Sequence, residues 1–396
     1  MPERLQHALM PAMTGYNFQQ TALIGMLPVL AAKLALAPAE VGLAIAAGLV
    51  VSAVTTPLMA GSMTMRRLRG ALIAMLLSSL ALAALLLSPR PVGIAFAILL
   101  AIRCVQGTAA AIILSLAQGA SARAERPVAA LARVQIGPGL GRALGAALIG
   151  PMLQLSIVLP VLPALIGAAA GLRRLRDAGP DAPGLEMLGP GRAGIRAPWL
   201  AALAVPFLVQ SAVGAGQLGL GPLLAQTRPP EQAATIAGLC LAAGYLALLL
   251  VHYRWTGRGT AARPAAALLI VALILPALSA APVVLVAATA LAAALVLAFV
   301  LSLSTTGWLA ERHFVWLFWV NVGVAGLLIA RHLARVIKAL PGSARQNAAW
   351  QGSAMLAGLG TGAGGGSLVL PLGPVAPFLL GGGFALVSFL ICQRFP

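Results

Sequence analysis

The sequence predicts an all-α polytopic membrane protein with two pseudo-symmetric six-helix bundles. Three observations predict it: the chain of 396 residues is 60% hydrophobic and only 9% charged, apolar stretches of membrane length recur along it, and one polar loop divides these stretches into two sets. An ordinary soluble domain is about 25% charged. One soluble globule could not bury this much apolar surface, so a soluble enzyme and a disordered chain are both excluded.

The apolar stretches define the predicted spans. A spanning helix needs about 20 apolar residues, so this chain holds roughly twelve spans with their loops. In the first half the stretches run at about 9–31, 41–63, 71–88, 92–119, 128–153 and 155–172. In the second half they run at about 198–226, 232–252, 264–281, 283–306, 314–333, 351–371 and 374–392. We therefore predict an N-terminal six-helix bundle (1–172), a polar inter-bundle loop (173–197) and a C-terminal helix bundle (198–396).

Basic residues in the loops predict the orientation. With the N-terminus inside, the basic loops at 66–69, 123–126, 173–196 and 254–263 all face the cytoplasm, as the positive-inside rule requires. Only Lys33, Arg90 and Arg228 then face outward. The net charge of +18 is thus explained by topology, and no nucleic-acid partner is expected. We expect a monomer in the lipid of a bacterial inner membrane, with both termini in the cytoplasm.

One apolar segment of the second half does not fit this alternation. Three apolar segments lie between Arg263 and Arg331, and three crossings would place the basic stretch 331–345 outside. One of the three is therefore predicted not to cross the membrane, and which one is left open. Residues 314–320, rich in Phe and Trp, are typical of an interfacial segment.

The two halves also share short motifs, which indicates an internal duplication. The run P-A-E ending at Glu40 matches the run P-P-E ending at Glu231, each before a span. The glycines of the fifth span match those of a span near the C-terminus: Gly137, Gly141 and Gly145 against Gly358, Gly362 and Gly366.

This layout resembles the major facilitator superfamily, and three local motifs strengthen the resemblance. The fourth span carries R-C-V-Q-G from Arg103 to Gly107, similar to the family's R-x-x-Q-G. The fifth span carries G-P-G-L-G from Gly137 to Gly141, which resembles the G-P-x-x-G core of drug and metabolite antiporters. The loop from Gly61 to Arg69 resembles the family's G-x-x-x-D-R-x-G-R, but Met65 replaces the Asp and Leu68 replaces the Gly.

The resemblance implies transport by alternating access, with spans 1, 4, 7 and 10 lining a central cavity. Polar side chains at the middle of these spans are the candidate cavity residues: Tyr16, Asn17, Gln20, Arg103, Gln106, Gln210, Gln217 and Asn321. Arg103 lies near the bilayer midplane, where a charge costs about 2.5–3.5 kcal/mol and is functional by default. Hydrogen bonds between helices, without a ligand, are the alternative for each residue.

Two further groups of residues come from the motifs. In the fifth span, Gly137, Pro138, Gly141 and Arg142 form a candidate gating motif, and simple tight packing of its glycines is the alternative. Arg142 has no obvious acidic partner. In the loop after the second span, Gly61, Arg66 and Arg69 form the candidate cytoplasmic motif.

No Asp or Glu lies well inside a predicted span, and this bears on how transport is coupled to an ion. Proton-coupled transporters of this family usually hold a buried carboxylate, whereas here Glu40 and Glu231 lie at the outer ends of helices. Glu40 and Arg103 are the coupling candidates, the latter by the resemblance, and a helix N-terminal acid favoured by the helix dipole is the alternative for Glu40. The four histidines show no metal-ligand spacing, so no metal and no cofactor are expected.

The sequence therefore predicts a non-enzymatic inner-membrane exporter of a small organic molecule, with protons as the expected coupling partner. Metabolites, siderophores and drug-like amphiphiles are the candidate substrates, and the acid-free, Arg-bearing spans favour neutral or anionic compounds. An uptake symporter for an organic anion is the first alternative. A membrane-embedded enzyme is the second, and the sequence offers no nucleophile–base pair for it.

Overall fold

The computed structural model describes residues 2–59, 64–88, 90–121, 127–177, 197–255 and 344–394, and the regular structure within them is helical. The first half contains α1 (Pro2–Gly25), α2 (Leu27–Leu34), α3 (Pro38–Met59), α4 (Met65–Leu87), α5 (Val92–Ser121), α6 (Pro127–Ala147), α7 (Ile149–Leu155) and α8 (Leu162–Asp177). The second half contains α9 (Ala197–Leu224), α10 (Pro230–Trp255), α11 (Ala344–Val369) and α12 (Ala376–Arg394).

Five of the described helices are long and apolar enough to cross a membrane, or six when the bent pair α6–α7 is taken as one span. The protein is therefore a multi-pass membrane protein, as the sequence predicts. The predicted spans between 264 and 333, including the one expected not to cross, lie outside the described residues, and so does most of the predicted inter-bundle loop.

Two of the predicted spans are broken helices. A turn at Met26 separates α1 from α2, although the Met26 amide still donates to the Ala22 carbonyl at 2.8 Å. The break at Leu148 bends the axis between α6 and α7 by 57°. Helix α2 ends at Ala35, whose φ of 53° is the left-handed conformation common after helix C-termini.

Glycines bring the helices of the first bundle into backbone contact. A Cβ atom added at Gly141 would clash with the Thr14 carbonyl, and one added at Gly145 would clash with the Phe18 carbonyl. Helix α6 can therefore lie directly on α1 only because these positions carry no side chain. The glycines of the candidate gating motif therefore lie in a tight contact between two helices.

The same packing recurs in the second half. Added Cβ atoms at Gly358 and Gly362 of α11 would clash with the carbonyls of Phe207 and Ser211 on α9. Helix α11 thus packs on α9 as α6 packs on α1. The glycine repeat in the sequence corresponds to a repeated helix contact, which is the physical basis of the pseudo-symmetry.

The two halves meet along two pairs of helices, α3 with α11 and α6–α7 with α10. The Ser353 hydroxyl of α11 donates to the Ala53 carbonyl of α3 at 2.6 Å. One buried apolar cluster contains residues of both halves near the loops at 35–37 and 225–229, including Leu34, Leu36, Leu223 and Leu224. We call this end of the bundle the outer end, following the predicted orientation.

The glycine contact can be tested by G141A. The added methyl must displace the backbone of α1, so we expect the free energy of unfolding to fall by about 1–3 kcal/mol. Thermal unfolding of the purified protein in detergent measures the effect. The matched control is G93A, because a Cβ at Gly93 meets nothing within 4 Å. Equal stability of the two variants would contradict the contact.

Candidate functional site

Arg103 is fully buried in the first bundle, on helix α5. Its Nη1 donates to the side-chain oxygen of Gln106 one turn further along the same helix. Its Nη2 donates to the side-chain oxygen of Gln20 on α1. Neutral amide oxygens, rather than a carboxylate, therefore hold this guanidinium.

The contacts of Gln106 extend this group, which we call the Arg103 cluster. The Gln106 Nε2 donates to the side-chain oxygen of Gln19 at 3.3 Å and lies 3.5 Å from the Ser79 hydroxyl oxygen on α4. All five members are buried: Gln19, Gln20, Ser79, Arg103 and Gln106. The cluster joins α1, α4 and α5, so it fixes the arrangement of three helices of the first bundle.

A cavity lies near the middle of the bundle, on the side away from the outer end. It has an empty volume of about 470 Å³, part of which is open to the outside. Its lining comes from α1, α3, α4, α5, α6 and α11: Ala12, Met13, Tyr16, Asn17, Ser52, Met75, Ala110, Ile113, Leu114, Pro138, Arg142 and Leu356. Leu356 is the contribution of the second half to this wall among the described residues.

Arg142 supplies the positive charge of the cavity wall. Its Nε donates to the Asn17 side-chain oxygen at 3.0 Å, and the Asn17 amide donates in turn to the Met13 carbonyl at 2.8 Å. The guanidinium carbon lies 5.9 Å from the centre of the Tyr245 ring on α10, within cation–π distance. Arg142 therefore links a helix of the first bundle to a helix of the second.

Tyr16 is close to both arginines of the bundle, the buried Arg103 and the half-buried Arg142. Its side chain lines the cavity and interacts electrostatically with both Arg103 and Arg142. Its buried hydroxyl has no hydrogen-bond partner among the described residues. Tyr16 therefore connects the Arg103 cluster to the wall of the cavity.

A second polar contact joins the two halves beside Arg142. The Tyr245 hydroxyl lies close enough to the polar side chains of Thr21 on α1 and Gln217 on α9 to interact with both. Both Gln217 and Tyr245 are buried, at 3% and 5% exposure. This contact lies between the cavity and the apolar cluster of the outer end.

The predicted cavity residues thus fall into three sets. Tyr16, Asn17, Pro138 and Arg142 line the cavity. Gln20, Arg103 and Gln106 contact one another, but they lie inside the first bundle and not on the wall of this cavity, because amides of α1 and α5 surround the guanidinium. Gln217 lies at the contact between the halves, Gln210 is half-buried and does not line the cavity, and Asn321 lies outside the described residues.

Sequence reasoning missed Tyr245, Gln19 and Ser79. Gln19 belongs to the dense polar run of the first span, which was the available signal. No sequence signal marked Ser79 or Tyr245, because a residue with a single hydroxyl in an apolar helix is as often a packing residue as a hydrogen-bond partner of a buried group. Only the positions of the helices show which buried group each hydroxyl faces.

The remaining candidates lie at helix ends or in the glycine motif. Glu40 accepts a hydrogen bond from the Ala37 amide at 2.7 Å, so it caps α3. Arg66 and Arg69 are exposed in the first turns of α4, and Gly61 lies outside the described residues. Gly137 and Gly141 face α1. In the described ranges, His, Cys, Asp and Glu form no group that could hold a metal ion.

Solved transporter structures match almost the whole chain. They include the human organic anion transporter MFSD10, with 18% identity and a TM-score of 0.62 over 99% of both chains. A POT family transporter in complex with 5-aminolevulinic acid has 13% identity and a TM-score of 0.68, covering 98% of this chain and 95% of that chain. The xylose transporter XylE from E. coli has 14% identity and a TM-score of 0.64, covering 98% and 96%.

The matches confirm the predicted fold class: the chain is an all-α membrane protein with a fold of the major facilitator type. At these identities the likeness concerns the fold. No protein-family model matches the sequence, and no curated protein matches it.

The Arg103 cluster can be tested by R103A. The variant leaves the buried oxygens of Gln20 and Gln106 without a donor, at about 1–3 kcal/mol for each unpaired group. We expect a lower unfolding temperature in detergent, and a much smaller effect in S79A, which removes only a long contact. If R103A is as stable as the wild type, the cluster does not hold the bundle together. If it also transports normally, Arg103 has no role in coupling.

Proposed function

We propose that the protein is a transporter that exports a small organic molecule by alternating access. The observation that carries the proposal is a partly open cavity of about 470 Å³ in the middle of the bundle, beside polar contacts that join the two halves. A transporter fold around such a cavity supports carriage of a solute rather than a structural role.

The arrangement of the described helices supports a state in which the cavity faces the cytoplasm. Apolar residues of both halves pack together at the outer end, whereas the cavity lies on the side of the N-terminus. In the predicted orientation that side is cytoplasmic. An exporter collects its substrate from such a state.

Export, rather than transport in general, is supported by the antiporter-like motif of α6. Pro138 of this motif lines the cavity, and its glycines hold α6 against α1. We propose proton antiport as the energy source and metabolites, siderophores or drug-like amphiphiles as substrate classes. The protein then acts as a monomer in the bacterial inner membrane.

An uptake symporter for an organic anion is the second candidate. Arg103 and Arg142 place positive charge in the bundle, and the described cavity lining contains no carboxylate. MFSD10, which shares the fold, is an organic anion transporter. A membrane-embedded enzyme is not favoured, because the residues that line the cavity include no nucleophile–base pair or metal site.

Transport direction can be measured in membrane vesicles. With a panel of isotope-labelled organic acids and neutral compounds, we expect accumulation in everted vesicles when the inside is acidified, and none in vesicles without the protein. Accumulation in right-side-out vesicles instead would establish the symporter. No flux in either orientation would contradict transport of the panel compounds.

A disulfide between the two halves tests whether transport requires alternating access. The Ser353 hydroxyl contacts the Ala53 carbonyl across the two halves, so the pair S353C and A53C is the pair to be joined by a disulfide. Oxidation should stop transport, because the halves can no longer move apart, and reduction should restore it. Full transport by the oxidised protein would contradict the mechanism.

Coupling through Glu40 can be separated from its capping role by E40Q. A glutamine oxygen can still accept from the Ala37 amide, but it does not titrate. We expect an unchanged unfolding temperature and loss of the stimulation of transport by a pH gradient. Flux measured with and without the gradient is the readout. Equal stimulation of E40Q and wild type would exclude Glu40 as the coupling group.

A further inference from the structure

The guanidinium of Arg142 has an unused hydrogen-bonding edge. An arginine side chain has five N–H donors, and only the Nε of Arg142 donates to a described residue, to Asn17. The Nη1 and Nη2 groups have no partner among the described residues. Since Arg142 lines the cavity, these groups are available to a molecule bound there.

Neighbouring side chains fix the orientation of this edge. Asn17 is itself held by the Met13 carbonyl at 2.8 Å, so the contact to Nε is anchored to the backbone of α1. The Tyr245 ring lies 5.9 Å from the guanidinium carbon. A planar donor pair held in this way matches the two oxygens of a carboxylate, because Arg–carboxylate pairs are commonly bidentate.

The electrostatics of the cavity also favour an anion. The described lining residues include no Asp or Glu, and the neighbouring Arg103 adds a second positive charge that only neutral amides contact. A charge away from water is costly unless it is paired. In addition, Tyr16 lines the cavity with a side chain that is 8% exposed, and its buried hydroxyl has no described partner that would compete for a hydrogen bond to an oxyanion.

The rest of the wall sets the shape of the ligand. Apart from Ser52 and the polar residues beside Arg142, the lining is apolar: Ala12, Met13, Met75, Ala110, Ile113, Leu114, Pro138 and Leu356. A ligand that fits both parts has one anionic end and an apolar body. The flexible side chains of Met13 and Met75 can adapt to apolar groups of different shape in the ligand.

We propose that Arg142, rather than Arg103, is the anion-binding residue, and that the cavity takes small amphiphilic carboxylates. The carboxylate contacts Nη1 and Nη2 of Arg142 and the Tyr16 hydroxyl, and the apolar body lies against Met75, Ile113 and Leu356. This inference rests on the proposed transport function, which it narrows to one substrate class.

Matched pairs of acids and amides test the site directly. Benzoate and octanoate are compared with benzamide and octanamide, which have the same shape without the charge. The full chain is reconstituted in nanodiscs of phosphatidylcholine, and ligand-dependent stabilisation against heat gives the dissociation constants. We expect each acid to bind at least about tenfold more tightly than its amide, as a charge-assisted pair predicts.

Variants assign this preference to Arg142. R142Q should remove the preference for the acid, and R142K should retain part of it, since lysine keeps the charge without the planar fork. The matched control R90Q removes an exposed charge outside the cavity and should bind like the wild type. Equal binding of acids and amides by the wild type, or an acid preference retained by R142Q, overturns the proposal.

Two further experiments are needed. One identifies the source of the bound anion, and the other tests the transport function independently of the binding site. If phosphatidylglycerol in the nanodiscs blocks benzoate binding in an Arg142-dependent way, a lipid headgroup occupies the site and the proposal is overturned. Transport of labelled benzoate is measured in parallel in vesicles. Arg142-dependent binding without transport contradicts the proposed function alone, whereas equal transport by R142Q and wild type contradicts the site alone.

Discussion

A guanidinium inside a membrane bundle must be hydrogen-bonded by the protein, because neither lipid nor the apolar core can solvate it. Arg103 meets part of this requirement with the amide oxygens of Gln20 and Gln106, while its buried Nε has no partner among the described residues. Gln106 continues the contacts to α1 and α4. The partners come from separate helices, so satisfying one charge fixes how these helices pack. The positions of the cavity residues on α1 and α5 follow from this arrangement.

The two arginines of the bundle have different surroundings and therefore different uses. Arg103 is fully buried and is surrounded by neutral acceptors, which suits a residue that holds helices together. Arg142 is half-buried, has an unused edge and reaches Tyr245 in the other half. Tyr16 interacts with both charges. Tyr16 therefore couples the charge in the cavity electrostatically to the Arg103 cluster.

Small residues make this arrangement possible. The glycines of α6 and α11 allow backbone contact with α1 and α9, so the polar side chains on the same helices are brought within hydrogen-bonding distance. Repetition of the contact in both halves gives two bundles of similar geometry. The bundles meet along α3–α11 and α6–α10, where a relative movement would change the cavity.

The sequence by itself determined the membrane class, the division into halves and the glycine repeat, because hydropathy, loop charge and small-residue spacing act locally along the chain. It also marked Gln20, Arg103 and Gln106 as polar residues of the membrane interior, and predicted them on a cavity wall. The rotation of each helix about its axis depends on its neighbours, and only the tertiary structure decided it. That rotation turns Arg103 into the first bundle, turns Arg142 to the cavity and brings Tyr245 against it from a distant helix.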